Sequence, residues 1–235
     1  MIIHRKFCQI NNQIFVFKNK TFLGIITARE NSKRLKKKNL RQILRKPLIF
    51  YTINSAKNSD FLDSFIISSE SKNILKVAKK FNCEIPFIRP SYLSKDNVGA
   101  TEVVYHAIRA IKRKYDYVVL LQPTSPLRDS NDIDEAIAKI IDKKALSLFS
   151  VYFSKTSQKF PITITKKGFI KKIKKFTNKS NYYLNGAIYI CKINYFLKKK
   201  NFYSNKAIPF YMPKSRSVDI DNIKEFKQAE TFLKK

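Results

Sequence analysis

From residue 23 onward the sequence alternates short apolar runs with longer amphipathic segments, and this alternation constrains the fold more than any other feature. The apolar runs predict strands, and the segments with apolar residues every three or four positions predict helices. Because strands that alternate with helices form a sheet covered by helices, the sequence predicts an α/β fold with a mostly parallel sheet. The predicted strands are residues 23–28, 65–68, 85–88, 117–121, 147–153, 187–191 and 210–213. The predicted helices are residues 71–81, 101–114, 131–141 and 222–233, with another that begins at Pro47.

Composition excludes several classes of protein. The chain has 235 residues, of which 44% are hydrophobic, so it can bury the core of one domain and is not disordered. No apolar run is long enough to span a bilayer, and residues 1–10 lack the apolar centre of a signal peptide. We therefore expect a cytoplasmic protein with no membrane partner. Cys8, Cys83 and Cys191 form no metal-binding pattern and are expected to be reduced thiols.

The formal net charge of +31 raises the alternative of a basic nucleic-acid-binding protein. The lysines are spread along the whole chain, however, and no zinc-finger spacing, RNA-recognition signature or GXXG loop accompanies them. We therefore expect nonspecific adhesion to polyanions at low salt but no specific nucleic-acid partner.

A basic segment follows the first predicted strand. Ligands of open α/β sheets bind at the carboxyl ends of strands, and guanidinium, ammonium, hydroxyl and amide donors suit a triphosphate. The alternative is a solvated basic loop, because lysine is abundant throughout the chain. The donors are Arg29, Ser32, Lys33, Lys38 and Asn39.

A rigid turn is predicted directly after the strand at residues 117–121. Gln122 is followed by two prolines and two hydroxyl residues, which restrict the backbone at this edge of the sheet. The Gln122 amide can both donate and accept hydrogen bonds. The alternative is a structural connection in which Thr124 or Ser125 caps the next helix.

An acidic pair, Asp219 and Asp221, lies near the C-terminus. In a strand, residues two apart point to the same side, and two adjacent carboxylates repel each other unless a cation lies between them. Mg²⁺ binds one or two carboxylates and completes its shell with water and phosphate oxygens. The alternative for Asp221 is a role as a helix cap.

Together these segments resemble the acylneuraminate cytidylyltransferases, the CMP-sialic acid synthetases. The resemblance extends from about residue 23 to residue 234. The matching stretches are Ala28-Arg29, Ser32-Lys33, Lys38-Asn39, Leu121 to Arg128, Asn185 to Ile190 and Asp219-Ile220-Asp221. The first loop departs from the family pattern, because Thr27, Glu30 and Arg34 stand where proline, small residues or glycine are common. This departure leaves an inactive homologue as an alternative.

The resemblance implies a nucleotide-diphospho-sugar transferase-like, Rossmann-like domain at residues 23–235, preceded by an extension at residues 1–22. It also implies a protruding β arm at about residues 154–183 that forms a homodimer. The implied reaction transfers CMP from CTP to the C2 hydroxyl of a nonulosonic acid, with Mg²⁺ as the cofactor. The stretch that begins at Asn185 favours a neuraminic or legionaminic substrate, whereas Ser32-Lys33-Arg34 favours pseudaminic acid, and another acidic sugar is a further alternative.

The resemblance also assigns roles to individual residues. The implied catalytic residues are Arg29, Lys38, Gln122, Asp219 and Asp221, and the two aspartates are also the implied metal ligands. The implied nucleotide-binding residues are Ala28, Arg29, Ser32, Lys33, Asn39, Arg89, Ala100 and Thr101. The implied sugar-binding residues are Gln122, Asn185, Tyr189, Phe202, Lys159 and Lys175. Tyr189 and Phe202 have the alternative of being core aromatics, and His106 is expected to be structural.

Overall fold

The computed structural model describes residues 17–155, 160–172 and 181–234. The strands are β1 (Phe22–Thr27), β2 (Gln42–Ile43), β3 (Lys46–Pro47), β4 (Ser64–Ser68), β5 (Tyr117–Leu121), β6 (Ser147–Phe153), β7 (Pro161–Ile164), β8 (Ile170–Lys172), β9 (Tyr182–Lys192) and β10 (Ile208–Tyr211). The α-helices are α1 (Leu48–Lys57), α2 (Lys72–Lys80), α3 (Ala100–Ala110), α4 (Ser130–Asp142), α5 (Ile193–Lys199) and α6 (Ile223–Leu233). None of the helices within these described ranges is both long enough and apolar enough to cross a bilayer.

The main sheet has the strand order β10-β6-β9-β5-β1-β4. Strand β9 is antiparallel to β5 and β6, and the other neighbouring strands pair in parallel. The chain passes from β1 to β4 on one side and then places β5 on the other side of β1. Such a reversal opens a crevice at the carboxyl ends of the strands, where α/β sheets bind ligands. The predicted α/β fold is confirmed.

Three apolar clusters hold the layers together. One face of the sheet packs against α1, α2 and α4, and the opposite face packs against α3 and α5. Burial on both faces explains why β1 and β5 are continuous apolar runs rather than alternating ones. The third apolar cluster comprises Leu35, Ile43, Leu48, Leu127, Val218, Ile220, Phe226 and Ala229. It joins the loop after β1 to the turn after β5 and to the segment before α6.

Several predicted elements differ from the structure, and the strand predicted at residues 210–213 lies at Ile208–Tyr211. The predicted strand at residues 85–88 is wrong, since only Glu84 forms an isolated bridge, with Ile66 of the edge strand β4. Pro86 lacks the N–H that a continued ladder would need. The helix predicted at residues 101–114 ends at Ala110, because Ile111 adopts an extended conformation and packs against the sheet.

Strand β9 is longer than predicted and irregular. The strand predicted at residues 187–191 is the second half of an 11-residue strand. Its pairing with β6 shifts register, because Phe149 lies opposite Tyr189 whereas Val151 lies opposite Leu184. Strand β9 therefore carries extra residues at this point, and they include Asn185 and Gly186.

A hairpin formed by β7 and β8 occupies the predicted arm. Gly168 has φ +79° and donates its N–H to the Thr165 carbonyl at 2.8 Å, which confirms the predicted turn. Ile162 and Ile170 are buried in the core on the α3 side, so the described part of the hairpin packs on the body of the domain rather than standing free. A role in dimerisation stays a prediction. Lys159, Lys175 and residues 1–16 of the predicted extension lie outside the described residues.

Candidate active site

A cleft of about 420 Å³ opens at the carboxyl ends of β1 and β5. Arg29 of the basic loop and Asp221 of the acidic pair line the same cleft, although they come from opposite ends of the sequence. The loop, the turn after β5 and the acidic segment therefore meet at one place. The predicted site residues that line the cleft are Ala28, Arg29, Ser32, Lys33, Lys38, Asn39, Arg89, Ala100, Gln122 and Asp221.

Apolar anchoring explains why the acidic segment reaches the cleft. Ile220 is fully buried in the third apolar cluster, and its N–H donates to the Thr124 carbonyl at 2.8 Å. Asp219 and Asp221, on either side of it, are partly exposed. The segment is not a strand of the sheet, but its side chains alternate between buried and partly exposed positions as they would in a strand. The hydrogen bond to the turn after β5 therefore fixes the position of the backbone that carries both carboxylates.

The backbone around Arg29 is held on three sides. The Ala28 carbonyl accepts a hydrogen bond from Arg89 Nη2 at 2.9 Å, and the Glu30 N–H donates to Glu70 Oε1 at 2.9 Å. The Arg29 carbonyl accepts a hydrogen bond from Asn39 Nδ2, also at 2.9 Å. Asn39 is buried, so its side-chain amide braces the loop, and its direct contact with a nucleotide stays a prediction.

Two loop cations converge on one carboxylate. Arg29 Nη1 lies 2.9 Å from Asp96 Oδ1, and Lys33 Nζ lies 2.9 Å from Asp96 Oδ2. The hydrogen bond from Lys33, followed by that from Arg29, lowers the pKa of Asp96. Side chains that hold one anion in this way present the charge and the donors that phosphate oxygens require.

Lys38 links the basic loop to the acidic pair. Its Nζ donates to the Ile220 carbonyl at 2.6 Å and lies 3.7 Å from Asp221 Oδ1. Arg34 Nη1 contacts the other oxygen of Asp221 at 2.5 Å. Burial lowers the pKa of Lys38, and the charges of Asp221 and Asp219 oppose that shift. Asp221 thus already contacts two cationic side chains at this corner of the cleft, and its carboxylate, together with that of Asp219, is of the ligand type that Mg²⁺ combines with water and phosphate oxygens.

Gly186 places the start of the second half of β9 beside Asp219 and Gln122. Its φ is +74°, and a methyl group added to its Cα would lie 3.9 Å from Asp219 Oδ2 and from Gln122 Nε2. Glycine adopts this left-handed backbone without strain. The backbone thus approaches two predicted catalytic side chains with no side chain of its own between them.

The other predicted sugar residues are more enclosed. The Asn185 amide is buried, accepts hydrogen bonds from Ser150 Oγ and the Ala187 N–H, and donates to Ser217 Oγ. It therefore fixes the strand, and a contact with sugar hydroxyls stays a prediction. Tyr189 packs edge-on against Phe149 and Phe202. Burial, with a smaller contribution from Asp219, raises the pKa of Tyr189.

Sequence reasoning missed two charged residues that support the cleft. Glu70 follows β4, whose carboxyl end neighbours that of β1, so the argument applied to the basic loop would have found it. Arg128 ends the motif after β5, and its fully buried guanidinium donates to the carbonyls of Ala187 at 2.9 Å and Gln122 at 3.4 Å. Burial lowers the pKa of Arg128 to about 10. Arg128 therefore ties the end of β5 to β9 from beneath the cleft.

Comparison with known proteins extends over nearly the whole chain. Residues 23–235 match the family model described as cytidylyltransferase. The chain is 30% identical to the pseudaminic acid cytidylyltransferase of Campylobacter jejuni subsp. jejuni, over 90% of this chain and 96% of the relative. It is 31% identical to the N-acylneuraminate cytidylyltransferase of Escherichia coli, over 91% of this chain and 52% of that longer protein. It is 30% identical to the CMP-N,N'-diacetyllegionaminic acid synthase of Legionella pneumophila, over 85% of this chain and 90% of the relative.

Solved structures share the fold at low sequence identity. A CMP:2-keto-3-deoxy-manno-octonic acid synthetase complexed with CTP superimposes with a TM-score of 0.75 at 12% identity, over 91% of this chain and 98% of that chain. HddC from Yersinia pseudotuberculosis gives a TM-score of 0.68 at 12% identity, over 90% of this chain and 99% of that chain. These similarities concern the architecture of the sheet and its helices.

Proposed function

This chain belongs to the cytidylyltransferase family, and from that premise we propose that it transfers CMP from CTP to the C2 hydroxyl of a sialic-acid-like nonulosonic acid. The observation that carries the proposal is the convergence of Arg29 and Asp221 on one cleft. Relatives named for pseudaminic, neuraminic and legionaminic acids are 30–31% identical to this chain, so identity does not separate these sugars. The neuraminic or legionaminic type is proposed on the stretch beginning at Asn185, with pseudaminic acid as the alternative.

The basic loop is proposed to bind the triphosphate of CTP. The C2 hydroxyl oxygen attacks the α-phosphorus, an O–P bond forms, the bond to the β-phosphate oxygen breaks, and pyrophosphate leaves while the hydroxyl proton passes to solvent. Such transfers depend on positioning and on neutralising negative charge. Arg29 and Lys33 already hold an anionic oxygen pair at 2.9 Å, which supports their assignment to phosphate oxygens.

The acidic pair is proposed to hold Mg²⁺. Asp219 and Asp221 are the proposed ligands from this chain. Burial lowers the pKa of Lys38 and the charges of both aspartates raise it, which supports the proposal that the two carboxylates lie near one another. Bound Mg²⁺ would supply electrostatic stabilisation of the phosphate oxygens. Lys38 lies beside Asp221 and adds a positive charge there, and Arg34 also pairs with Asp221.

The sugar is proposed to bind beside Gln122 and the partly exposed backbone of Gly186. The Gln122 amide is able to orient a hydroxyl because it both donates and accepts hydrogen bonds. The buried side chains of Arg128 and Asn185 fix the backbone next to this subsite, because Arg128 donates to the Ala187 carbonyl and Asn185 accepts from the Ala187 N–H.

One assay tests the reaction directly. The protein is incubated with CTP, Mg²⁺ and each of a panel of nonulosonic acids, and pyrophosphate release is followed. We expect release with at least one of neuraminic, legionaminic or pseudaminic acids. Absence of release with every sugar, at high enzyme concentration, would reject the proposed function.

Replacing Gly186 with alanine should raise the KM for the sugar more than the KM for CTP. The space at the Cα accommodates a methyl group, but the φ of +74° costs a residue with a side chain about 1–2 kcal/mol. Relief of that strain would move the backbone away from Gln122. The matched control is Gly168→Ala, which has a similar φ of +79° and nothing within 4 Å. Equal effects of both variants on the sugar KM would contradict the subsite.

We propose that the chain forms a homodimer through the surface near the β7–β8 hairpin. Phe153, Phe160 and Tyr211 are large apolar side chains with about half or more of their surface exposed, and Tyr182 packs between two of these rings. Exposed aromatic residues in one patch are typical of protein interfaces. Light scattering after size exclusion should give twice the chain mass, and Phe160→Ser should shift the protein towards the monomer. A monomeric wild-type protein at micromolar concentration would reject the dimer.

A further inference from the structure

The ion pair between the partly buried Glu70 and the buried Arg89 connects three segments that surround the cleft. Glu70 Oε2 lies 2.5 Å from Arg89 Nη2 and accepts a hydrogen bond from Ser94 Oγ at 2.8 Å. Arg89 Nε also donates to Ser94 Oγ, at 3.1 Å. The side chains of Arg89 and Glu70 are 3% and 19% exposed. The pair therefore joins the end of β4, the segment after residue 88 and the turn at Ser91–Ser94.

The same pair holds the peptide groups on both sides of Arg29. Arg89 donates to the carbonyl of the preceding residue, Ala28, and Glu70 accepts from the N–H of the following residue, Glu30. One ion pair thus fixes the direction of the backbone on either side of Arg29. The Arg29 side chain contacts the segment carried by the turn, through the Ser94 carbonyl at 3.3 Å and Asp96 at 2.9 Å.

We infer that Glu70 is a positioning residue that acts through Arg89 and the loop backbone to hold Arg29 in its phosphate-binding geometry. This inference rests on the proposed function. It accounts for a phosphate-binding loop that lacks glycine. Without glycine the loop has fewer backbone conformations available, and hydrogen bonds with the charged pair Glu70 and Arg89 select the conformation that it adopts. It also gives Arg89 a defined structural partner, in addition to the nucleotide contact implied by the resemblance.

Glu70 is ionised at neutral pH despite its enclosure. Burial raises the pKa of its carboxyl group, but hydrogen bonds from the Glu30 N–H, its own N–H, Ser94 and Arg89 outweigh burial and lower the pKa overall. An ionised acceptor makes stronger hydrogen bonds than a neutral amide would. The variant Glu70→Gln therefore keeps the shape of the side chain while it weakens the bonds that hold the loop.

The test measures CTP and sugar kinetics of Glu70→Gln beside the wild type. We expect the KM for CTP to rise about tenfold, with a smaller change in kcat and no change in the KM for the sugar. The matched control is Glu84→Gln. Glu84 is exposed, and the hydrogen bond described for its carboxylate comes from Ser64 Oγ. The control should leave all three constants unchanged.

A double-mutant cycle distinguishes positioning from general stability. In an Arg89→Met background, Glu70→Gln should add little to the CTP KM, because both changes break the same connection. Additive effects, or a lowered melting temperature with unchanged CTP KM, would overturn the inference. If Glu70→Gln does not fold, Ser94→Ala removes one bond of the network and should raise the CTP KM about threefold. An unchanged KM would then overturn the inference.

The wild-type measurement separates the two possible failures. A wild-type protein without CTP-dependent transfer contradicts the proposed function itself. A wild-type protein that turns over, with Glu70→Gln showing the same CTP KM, contradicts only the positioning role.

Discussion

Replacing Asp221 with alanine should lower kcat for pyrophosphate release by roughly a thousandfold while leaving the protein folded. The change removes one of the two carboxylates proposed to hold Mg²⁺ and leaves Arg34 and Lys38 without their shared partner. The fold should survive because Asp221 is partly exposed and its N–H still donates to Glu225 at the start of α6. Circular dichroism and the melting temperature check the fold, and a continuous pyrophosphate assay at saturating CTP measures the loss.

Two further variants make the Asp221 result interpretable. Asp221→Asn keeps the size of the side chain without its charge and should be almost as inactive as Asp221→Ala, since Mg²⁺ prefers charged oxygen ligands. Asp142→Asn removes an exposed carboxylate that pairs with Lys18 and should retain full activity. Near-normal turnover by Asp221→Ala would remove the metal assignment.

Replacing Lys38 with methionine should lower kcat by about a hundredfold to a thousandfold. Methionine keeps an unbranched apolar stem but removes the ammonium group that contacts the Ile220 carbonyl and approaches Asp221. The lost charge would otherwise stabilise the negative charge that develops on the phosphate oxygens. The Ile220 carbonyl loses a donor, which costs about 1 kcal/mol, so the melting temperature should fall by only a few degrees.

Lys36 provides the matched control for Lys38. It lies two residues earlier in the same basic loop, it is exposed, and it is not among the residues that line the cleft. Lys36→Met changes the net charge by the same amount and should leave kcat within twofold of the wild type. If the two lysine variants lose equal activity, the effect comes from the overall charge of the loop rather than from Lys38.

The parts of the cleft that follow strands were predictable from the sequence. Arg29, Gln122 and their neighbours come directly after buried apolar runs, and parallel strands bring their carboxyl ends to one edge. The contribution of Asp221 depends on a contact across the fold, between Ile220 and Thr124. The spacing of the two aspartates and the resemblance predicted that contribution, but the sequence contains no local signal for the contact.

Burial explains what the sequence could not reveal. Asn185 looks like an accessible amide next to glycine, yet Ser150 and Ser217, from distant segments, occupy its hydrogen-bonding groups. The apolar residues near Ile85 resemble a strand, yet Pro86 and the edge position prevent a ladder. The partners of a polar side chain depend on tertiary contacts, whereas the periodicity that predicts elements is local.

The register shift in β9 gives this scaffold a place where its substrate range can diversify. On either side of the shift, β9 is paired with β6, so each half is anchored independently. The residues between the two anchors carry the backbone that faces Gln122 and Asp219. Insertions or deletions there would alter the dimensions of the proposed sugar subsite without breaking the flanking ladders, so a lineage would adapt to acids of different bulk by changing a few residues inside one strand.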